Sequence, residues 1–450
     1  MDSITNRGGS LPQVDGVEPP GPVVPMTSER AYERRRRPEE TTATTVGPQA
    51  RLARESLAFA RKREYTGWDY GDGMSSRIRQ ALPVDNRWLN LVFQESIKRA
   101  PVNIRPLLLV EQRRSYMGAA LFALANLSLA AVERTGVDTG EDVDYVSEAV
   151  DLSEWLVANR STGYSGYCGG HQHEVQHLHG RGVPNTADVV STSFAVRALL
   201  ATRGADPELG EVAQTASRFV LDDLEYTEVD TGATIRYVLS HEESSYTINA
   251  GALCARLLLD IYAATGDVDL LERATALLDH IASLQQSVGG WMYRDPPEAS
   301  HLSMDNHHNA FIIETFLWYH EVTGGERYDV VLDRAMAFFR ETLFEDSGAP
   351  NWDEEQRYPK DVHACANGIL VFAYAGEYDF AERILEWTLE NLYAGDGRFY
   401  YRKQRYYTKR TTLMRWCQAW MSFAVAELAR ERVGAPPPLS PDGTPFEVDE

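Results

Sequence analysis

Cysteine is scarce in this chain. There are four in 450 residues, Cys168, Cys254, Cys365 and Cys417, and no two form a CxxC pair. That spacing excludes a disulfide framework and a compact zinc ribbon, and it points to reduced thiols in a cytoplasmic protein. Long apolar runs are also missing. The most apolar stretch, residues 118–132, is about fifteen residues long, shorter than a bilayer requires, and Asn126 and Ser128 interrupt it. A buried helix is expected there and no transmembrane segment. No apolar stretch follows the first charges, so no secretion signal is expected. The sequence has no GxSxG elbow, no Walker loop and no GxGxxG turn, and no cofactor is expected. Positive charge is the last deficit: the formal net charge is −22 and the sequence pI about 5.0. Nucleic acid and anionic membrane surfaces both need basic faces, so neither is expected as a partner.

What is present is a foldable, aromatic-rich chain. Apolar residues make up 43%, and 22 Tyr and 9 Trp exclude general disorder. Residues 1–50 are the exception, rich in Pro, Gly, Ser and Thr with no apolar period, and read as a disordered tail. It carries one basic run, Arg34 to Arg37, read as solvated. A second loose tail is expected over 434–450, with Pro436, Pro437, Pro438 and Pro441.

Between the tails, over residues 51–433, apolar residues recur at helical spacing, as in Ala250, Leu253, Leu257, Leu258 and Ile261. Six segments share one plan, a polar or aromatic approach followed by an apolar helix rich in small residues: 105–134, 187–203, 246–265, 305–323, 363–374 and 413–432. More amphipathic helices separate them, at 143–160, 207–224, 268–286, 327–344 and 378–392, and residues 85–100 supply the first, with Trp88, Leu91, Val92 and Ile97 on one face. Close packing needs small residues, so the apolar helices form an inner ring and the amphipathic ones an outer ring. A single hairpin cannot bury its inner helix alone, so the ring closes. The expected fold is therefore all-α, an (α/α)6 toroid of six hairpins; an open helical solenoid is the alternative.

In such a ring the loops preceding the inner helices meet at one mouth. They carry Trp68, Asp69 and Asp72; Tyr167, Cys168, His171 and His173; Tyr246 and Asn249; Trp291, Asp305, His307, His308 and Asn309; Trp352, Asp353, Asp361 and His363; and Tyr401, Arg402, Arg415 and Trp416. Aromatic faces beside amides and carboxylates suit sugars, which offer C–H faces to rings and hydroxyls to polar groups. Asp72, Asp305 and Asp361 are the candidate catalytic carboxylates, as acid and base across a glycosidic bond. Asp305 also stands where a helix cap would. His308 and Tyr246 are the proton-transfer candidates. Trp68, Trp291 and Trp352 are the candidate stacking faces. The segment 402–415 holds six cations and no acid, so Arg402 and Arg415 are candidates to hold an anionic group such as a uronate; pairing with the protein's own acids is the competing reading. Asp69, Tyr167, His171, Asn249, Asn309, His363, Tyr401 and Trp416 complete the candidate binding set. Cys168, His171, His173, His177 and His179 cluster without a strong zinc spacing, and no metal site is expected.

The Gly289-Gly290-Trp291 connector, the start of the helix at Asn309, and the stretch from Met414 to Trp420 resemble the six-hairpin glycosidase superfamily over about residues 65–432. That group includes unsaturated glucuronyl hydrolases, N-acylglucosamine 2-epimerase-like enzymes and the helical domain of glucuronyl 5-epimerases. Residues 69–76 and 101–107 are similar to proteins found with glycan and surface-polysaccharide assembly genes. The scarcity of lysine, five residues among 44 basic ones, resembles the composition of salt-adapted haloarchaeal proteins. The resemblance implies a cytoplasmic enzyme that modifies a uronate-containing glycan or lipid-linked oligosaccharide by hydrolysis, elimination or epimerisation, with a peripheral link to glycan-assembly machinery. Two other readings stand beside it: a non-catalytic glycan-binding or protein-interaction ring, and a zinc-dependent toroid like lanthionine cyclases or terpenoid-processing enzymes.

Overall fold

The computed structural model describes residues 47–137, 139–140, 143–176, 180–237 and 245–438. Most of the expected N-terminal tail and the last part of the C-terminal tail, from residue 439, lie outside these residues, as do His177 and His179.

The helices run in chain order as α1 (Pro48–Arg61), α2 (Arg87–Arg99), α3 (Tyr116–Arg134), α4 (Tyr145–Ala158), α5 (Val189–Thr202), α6 (Pro207–Gln214), α7 (Ile248–Thr265), α8 (Val268–Ser283), α9 (Asn306–Thr323), α10 (Asp329–Glu341), α11 (Val362–Tyr374), α12 (Tyr378–Leu392) and α13 (Trp420–Arg432). A short helix and a π turn, Phe219–Asp223, extend α6, and a π turn at Met414–Ala419 opens α13. The inner helices pack in order, α3 on α5, α5 on α7, α7 on α9, α9 on α11 and α11 on α13, and α13 returns to pack on α3. The chain is therefore an (α/α)6 toroid.

Composition explains the two rings. In α3 every residue from Tyr116 to Val132 is buried, and Gly and Ala let neighbouring backbones approach. In the outer helix α8 only Leu270, Ala274, Leu277, Leu278 and Ile281 are buried, a single stripe. Full burial of each such leucine or isoleucine contributes about 1.5–3 kcal/mol. Two helices, Tyr116–Arg134 and Ile248–Thr265, are long and apolar enough to cross a membrane, and both are inner helices packed inside the ring. Gly266 and Gly324 end α7 and α9 in left-handed conformation.

Five of the six hairpins are seated on the next by a glycine. In the connector from outer to inner helix, Gly166, Gly232, Gly289, Gly348 and Gly397 lie against backbone carbonyls of Thr215, Ala276, Arg334, Arg383 and Glu55. A Cβ on Gly232 would fall 2.1 Å from the Ala276 oxygen, so a side chain there forces the hairpins apart. The last glycine rests on α1, which closes the circle.

The first outer helix is thus α1 and not residues 85–100, a correction to the sequence reading. Helix α2 instead lies within the α1–α3 connection and packs on the 3-10 turn Asp72–Ser75 and the strand Val175–Gln176. Its Trp88 and Val92 are exposed. The first inner helix also starts later than read, at Tyr116, after a turn-rich approach.

Inside the ring, away from the helix N-termini, sits a network of buried ions. Glu314 accepts from Arg197 (2.8 Å) and Arg256 (3.2 Å), and Arg256 also holds Asp260 (2.9 Å). Arg197 donates to Tyr374 Oη, which donates to Glu427, itself held by Arg430 and Ser128.

Candidate active site

Four of the six inner helices begin with polar caps, because their first backbone N–H groups have no partner within the helix. Ser115, Asp188, Asp305 and Asp361 accept from backbone N–H groups of α3, α5, α9 and α11. The capping aspartates are therefore fixed around one end of the ring, and the loops bring their other partners there.

Helices α9 and α11 and the turn before α13 build an aromatic and imidazole floor. The His307 and His363 rings stack at 4.6 Å. Trp416 stands edge-on to both, at 5.6 and 4.6 Å, and Trp352 edge-on to His307 at 5.7 Å. Trp420 lies 4.3 Å from His363 on the core side, and Tyr70 stacks on Trp416 at 4.5 Å. Both ring nitrogens of His307 and of His363, and Nε2 of His173, are buried with no hydrogen-bond partner. Burial disfavours their charged forms. It lowers the pKa of His307 and, helped by His307, Arg415 and His308, holds His363 well below the ordinary value. Burial also takes His173 down to about 4. These three imidazoles are neutral near pH 7.

His308 differs. It is partly exposed, and its Nδ1 lies 2.6 Å from Asp305 Oδ2, while Asp305 Oδ1 accepts the His308 backbone N–H at 3.1 Å. Burial raises the Asp305 pKa, but His308 and His307 outweigh it and the net shift is downward. The carboxylate fixes the ring and directs Nε2 away from itself. Tyr293 packs 4.6 Å from this imidazole.

Two arginines are anchored from behind. Asp361 accepts from Arg402 (2.6 Å), Trp416 Nε1 (2.8 Å) and the His363 N–H (3.0 Å). Asp69 Oδ2 accepts from Arg415 Nε at 2.8 Å, and despite burial Arg415 and His173 hold its pKa down. The short strands Lys360–Asp361, Arg402–Lys403 and Thr408–Lys409 pair in one sheet, which delivers the basic segment to this wall. Of that segment's cations, Arg402 and Arg415 pair with the protein's own aspartates, as the competing sequence reading had it.

Several candidates from the sequence lie elsewhere in role. Asp72 is buried and bound by Arg105 Nε at 2.8 and 3.0 Å, with burial raising its pKa to about 6. It anchors the loop; Asp72→Asn is expected to lower the melting temperature by several degrees, since it weakens a buried ion pair. Trp291 is 1% exposed, stacks on Phe316, and donates Nε1 to the Ile281 carbonyl, so it offers no stacking face. Asn309 clamps the Trp291 backbone through both its side-chain groups. Tyr167 is buried and hydrogen-bonded to Tyr116 Oη. These three are packing residues, because loop aromatics and amides satisfy the connectors first. Trp68 is half-buried with Nε1 on the Val110 carbonyl. Tyr246 pairs by backbone with Asp295. Asp353 folds its own loop through Gln356. Asn249 Oδ1 and the Tyr401 hydroxyl are buried without partners, and His171 lies 5.6 Å from His173.

Asp188 was missed. It is buried, accepts from the Ser191 N–H and hydroxyl, and burial raises its pKa to about 6 against those bonds and Arg415. Its signal was available: an Asp just ahead of Ser191-Thr192-Ser193 at a helix start. Among the described residues no group of three His, Cys, Asp or Glu side chains is placed to hold a metal ion.

No protein-family model matches the chain, and no curated protein matches it in sequence. Solved structures do. A cellobiose 2-epimerase from Bacillus thermoamylovorans aligns at TM-score 0.55 and 13% identity, over 70% of this chain and 87% of its own. An unsaturated glucuronyl hydrolase specific for heparin aligns at TM-score 0.56 and 12% identity, over 86% and 96%. The unsaturated glucuronyl hydrolase of Bacillus sp. GL1 aligns at 0.55 and 14%, over 88% and 99%. What this chain shares with them is the closed ring of six helical hairpins.

Proposed function

We propose that this chain is a carbohydrate-active enzyme that moves a proton at the carbon beside a sugar carbonyl, an epimerase or isomerase. The observation that carries the reading is the convergence of neutral, unpartnered imidazoles with the His308–Asp305 pair at one mouth. Buried polar atoms without partners are rare in native proteins, and ring nitrogens that need donors or acceptors suit the hydroxyls of a sugar. His308, oriented by Asp305, takes the proton and as the imidazolium gives it back to the enediolate, at the neighbouring carbon for isomerisation or at the same carbon after the intermediate has turned its other face, while the neutral imidazoles of the floor bind the sugar hydroxyls. Arg415 and Arg402 face the developing oxyanion with charge already fixed by Asp69 and Asp361. Trp352, Trp416 and Tyr293 supply aromatic surface. The named activities of the epimerase and hydrolase structures that share the ring are consistent with a sugar in this position. A place in glycan assembly and in the cytoplasm belongs to the proposal through residues 69–76 and 101–107 and the reduced cysteines.

Hydrolysis is the second reading, and the burial of Asp188 favours it: a carboxyl 7% exposed at the start of an inner helix, its pKa raised to about 6 by burial, suits a general acid. Incubation in D2O with glucose, mannose, N-acetylglucosamine and cellobiose, followed by proton NMR, separates the two. Deuterium at C2 with appearance of the epimer or ketose is expected. No exchange with these sugars, together with decay of the ultraviolet band in a parallel incubation with an unsaturated uronide, would replace this reading with the hydrolytic one.

A further inference from the structure

The connection between α1 and α3 is the largest departure from the hairpin plan, and it is inside out. Seventeen large apolar side chains are exposed among the described residues, and nine of them lie between Ile78 and Leu109. In α2 the buried positions include Asn90 and Gln94, while Trp88, Leu89 and Val92 are 57%, 54% and 65% exposed. Leu82 and Leu107 extend this surface at 53% and 78%. The orientation is pinned by polar bonds. Asn90 accepts from Arg79 (2.8 Å) and donates to Gln176 (3.0 Å), and Gln94 exchanges bonds with the Gln176 backbone. Rotating α2 to bury Trp88 would break all of these.

Charge identifies what this surface meets. Residues 77–114 hold eight Lys or Arg and three Asp or Glu; with Arg79 and Arg105 buried, the latter on Asp72, the surface of this segment carries net +3 in a chain of net −22. Arg77 and Arg99 are 73% and 80% exposed, and Arg87 lies over the Trp88 ring. An exposed Trp and aliphatic residues ringed by arginine match the interface of an anionic bilayer, where rings and aliphatic chains enter the headgroup boundary and cations meet phosphate. Pairing with a second copy of the same face would set +3 against +3. The overall acidity that argued against membranes thus conceals one basic, apolar face.

We infer that the α2 segment docks this chain on an anionic lipid surface. The same segment borders the candidate active site: Lys98 of α2 sits 4.5 Å over Tyr70, which stacks on Trp416. A lipid-anchored glycan would then be delivered beside the mouth, an extension that rests on the sugar reading above; the docking itself does not.

The test is flotation of the full chain with vesicles of phosphatidylcholine alone and with phosphatidylglycerol added. Binding to the anionic vesicles, weakened by salt, is expected. The double substitution Trp88→Ser, Val92→Ser should reduce it about tenfold or more, with melting temperature and turnover of a free sugar unchanged. Three results would overturn the inference: no flotation with anionic vesicles, equal flotation of the double variant, or a solution dimer by light scattering that the substitutions dissolve. Flotation only after removal of residues 439–450 would overturn it too, by identifying that segment as the cover. Failure of sugar turnover with intact flotation would count against the sugar reading alone.

Discussion

His308→Asn is expected to lower kcat by about 10²–10⁴-fold, the usual contribution of a positioned acid or base, with a much smaller change in KM. The expectation follows from placement. His308 is partly exposed at the mouth and its Nδ1 is engaged by a carboxylate, leaving Nε2 for substrate. Asp305→Asn separates orientation from capping. Asparagine caps a helix as well as aspartate does, so the bond from the His308 N–H survives and the melting temperature should hardly move, while loss of the carboxylate that orients the ring should still lower kcat. Steady-state kinetics and thermal melts on both variants check this. A large loss of stability in Asp305→Asn with kcat preserved would reduce this pair to a helix cap.

Glu427→Ala is expected to destabilise the fold by about 3–5 kcal/mol, as measured by urea denaturation. Glu427 is 2% exposed and neutralises Arg430, while accepting from Ser128 and from Tyr374 Oη at 2.8 Å. Removing it leaves Arg430 with only the more exposed Glu431 (2.7 Å) as its counter-charge, and takes the acceptor from Ser128 and Tyr374. The same site predicts acid behaviour. Burial raises the Glu427 pKa, but Arg430 and Arg197 prevail and bring it to about 2, against an ordinary 4.5. A carboxylate depressed in the folded state contributes its stability fully above pH 4.5 and loses it as pH falls towards 2. Glu427→Gln should flatten the stability–pH curve across that window. The neutral histidines add a separate, earlier loss. His173, at about 4 against 6.5, contributes above pH 6.5 and ceases to as pH falls through 4.

Much of the ring was legible because periodicity reports which residues alternate between core and solvent. The five outer helices after the first were found where the sequence placed them, and so were the starts of α7, α9 and α11. The mouth was legible for the same reason: a shared register puts Asp305, His308, Asp361, His363, Arg402 and Trp416 at one rim although they span over a hundred positions. Periodicity failed at α2. Its pattern of Trp88, Leu91, Val92 and Ile97 measures amphipathicity, not which face turns inward, and the polar bonds of Asn90 and Gln94 decide that. Helix α1, built on Leu52, Ala53, Leu57 and Ala60, lay at the edge of what read as a tail. Trp291 and Tyr167 were misread because an aromatic residue in a loop looks the same whether its ring faces a ligand or fills the connector beneath it.

The sequence by itself determined the all-α hairpin architecture and the helix cap at Asp305, since both rest on local spacing and backbone conformation. Only the tertiary structure decided which carboxylates are occupied by arginines, which imidazoles are left neutral and unpartnered, and which helix faces outward. Those outcomes depend on groups brought together from distant hairpins, and desolvation and pairing exist only once the ring has closed.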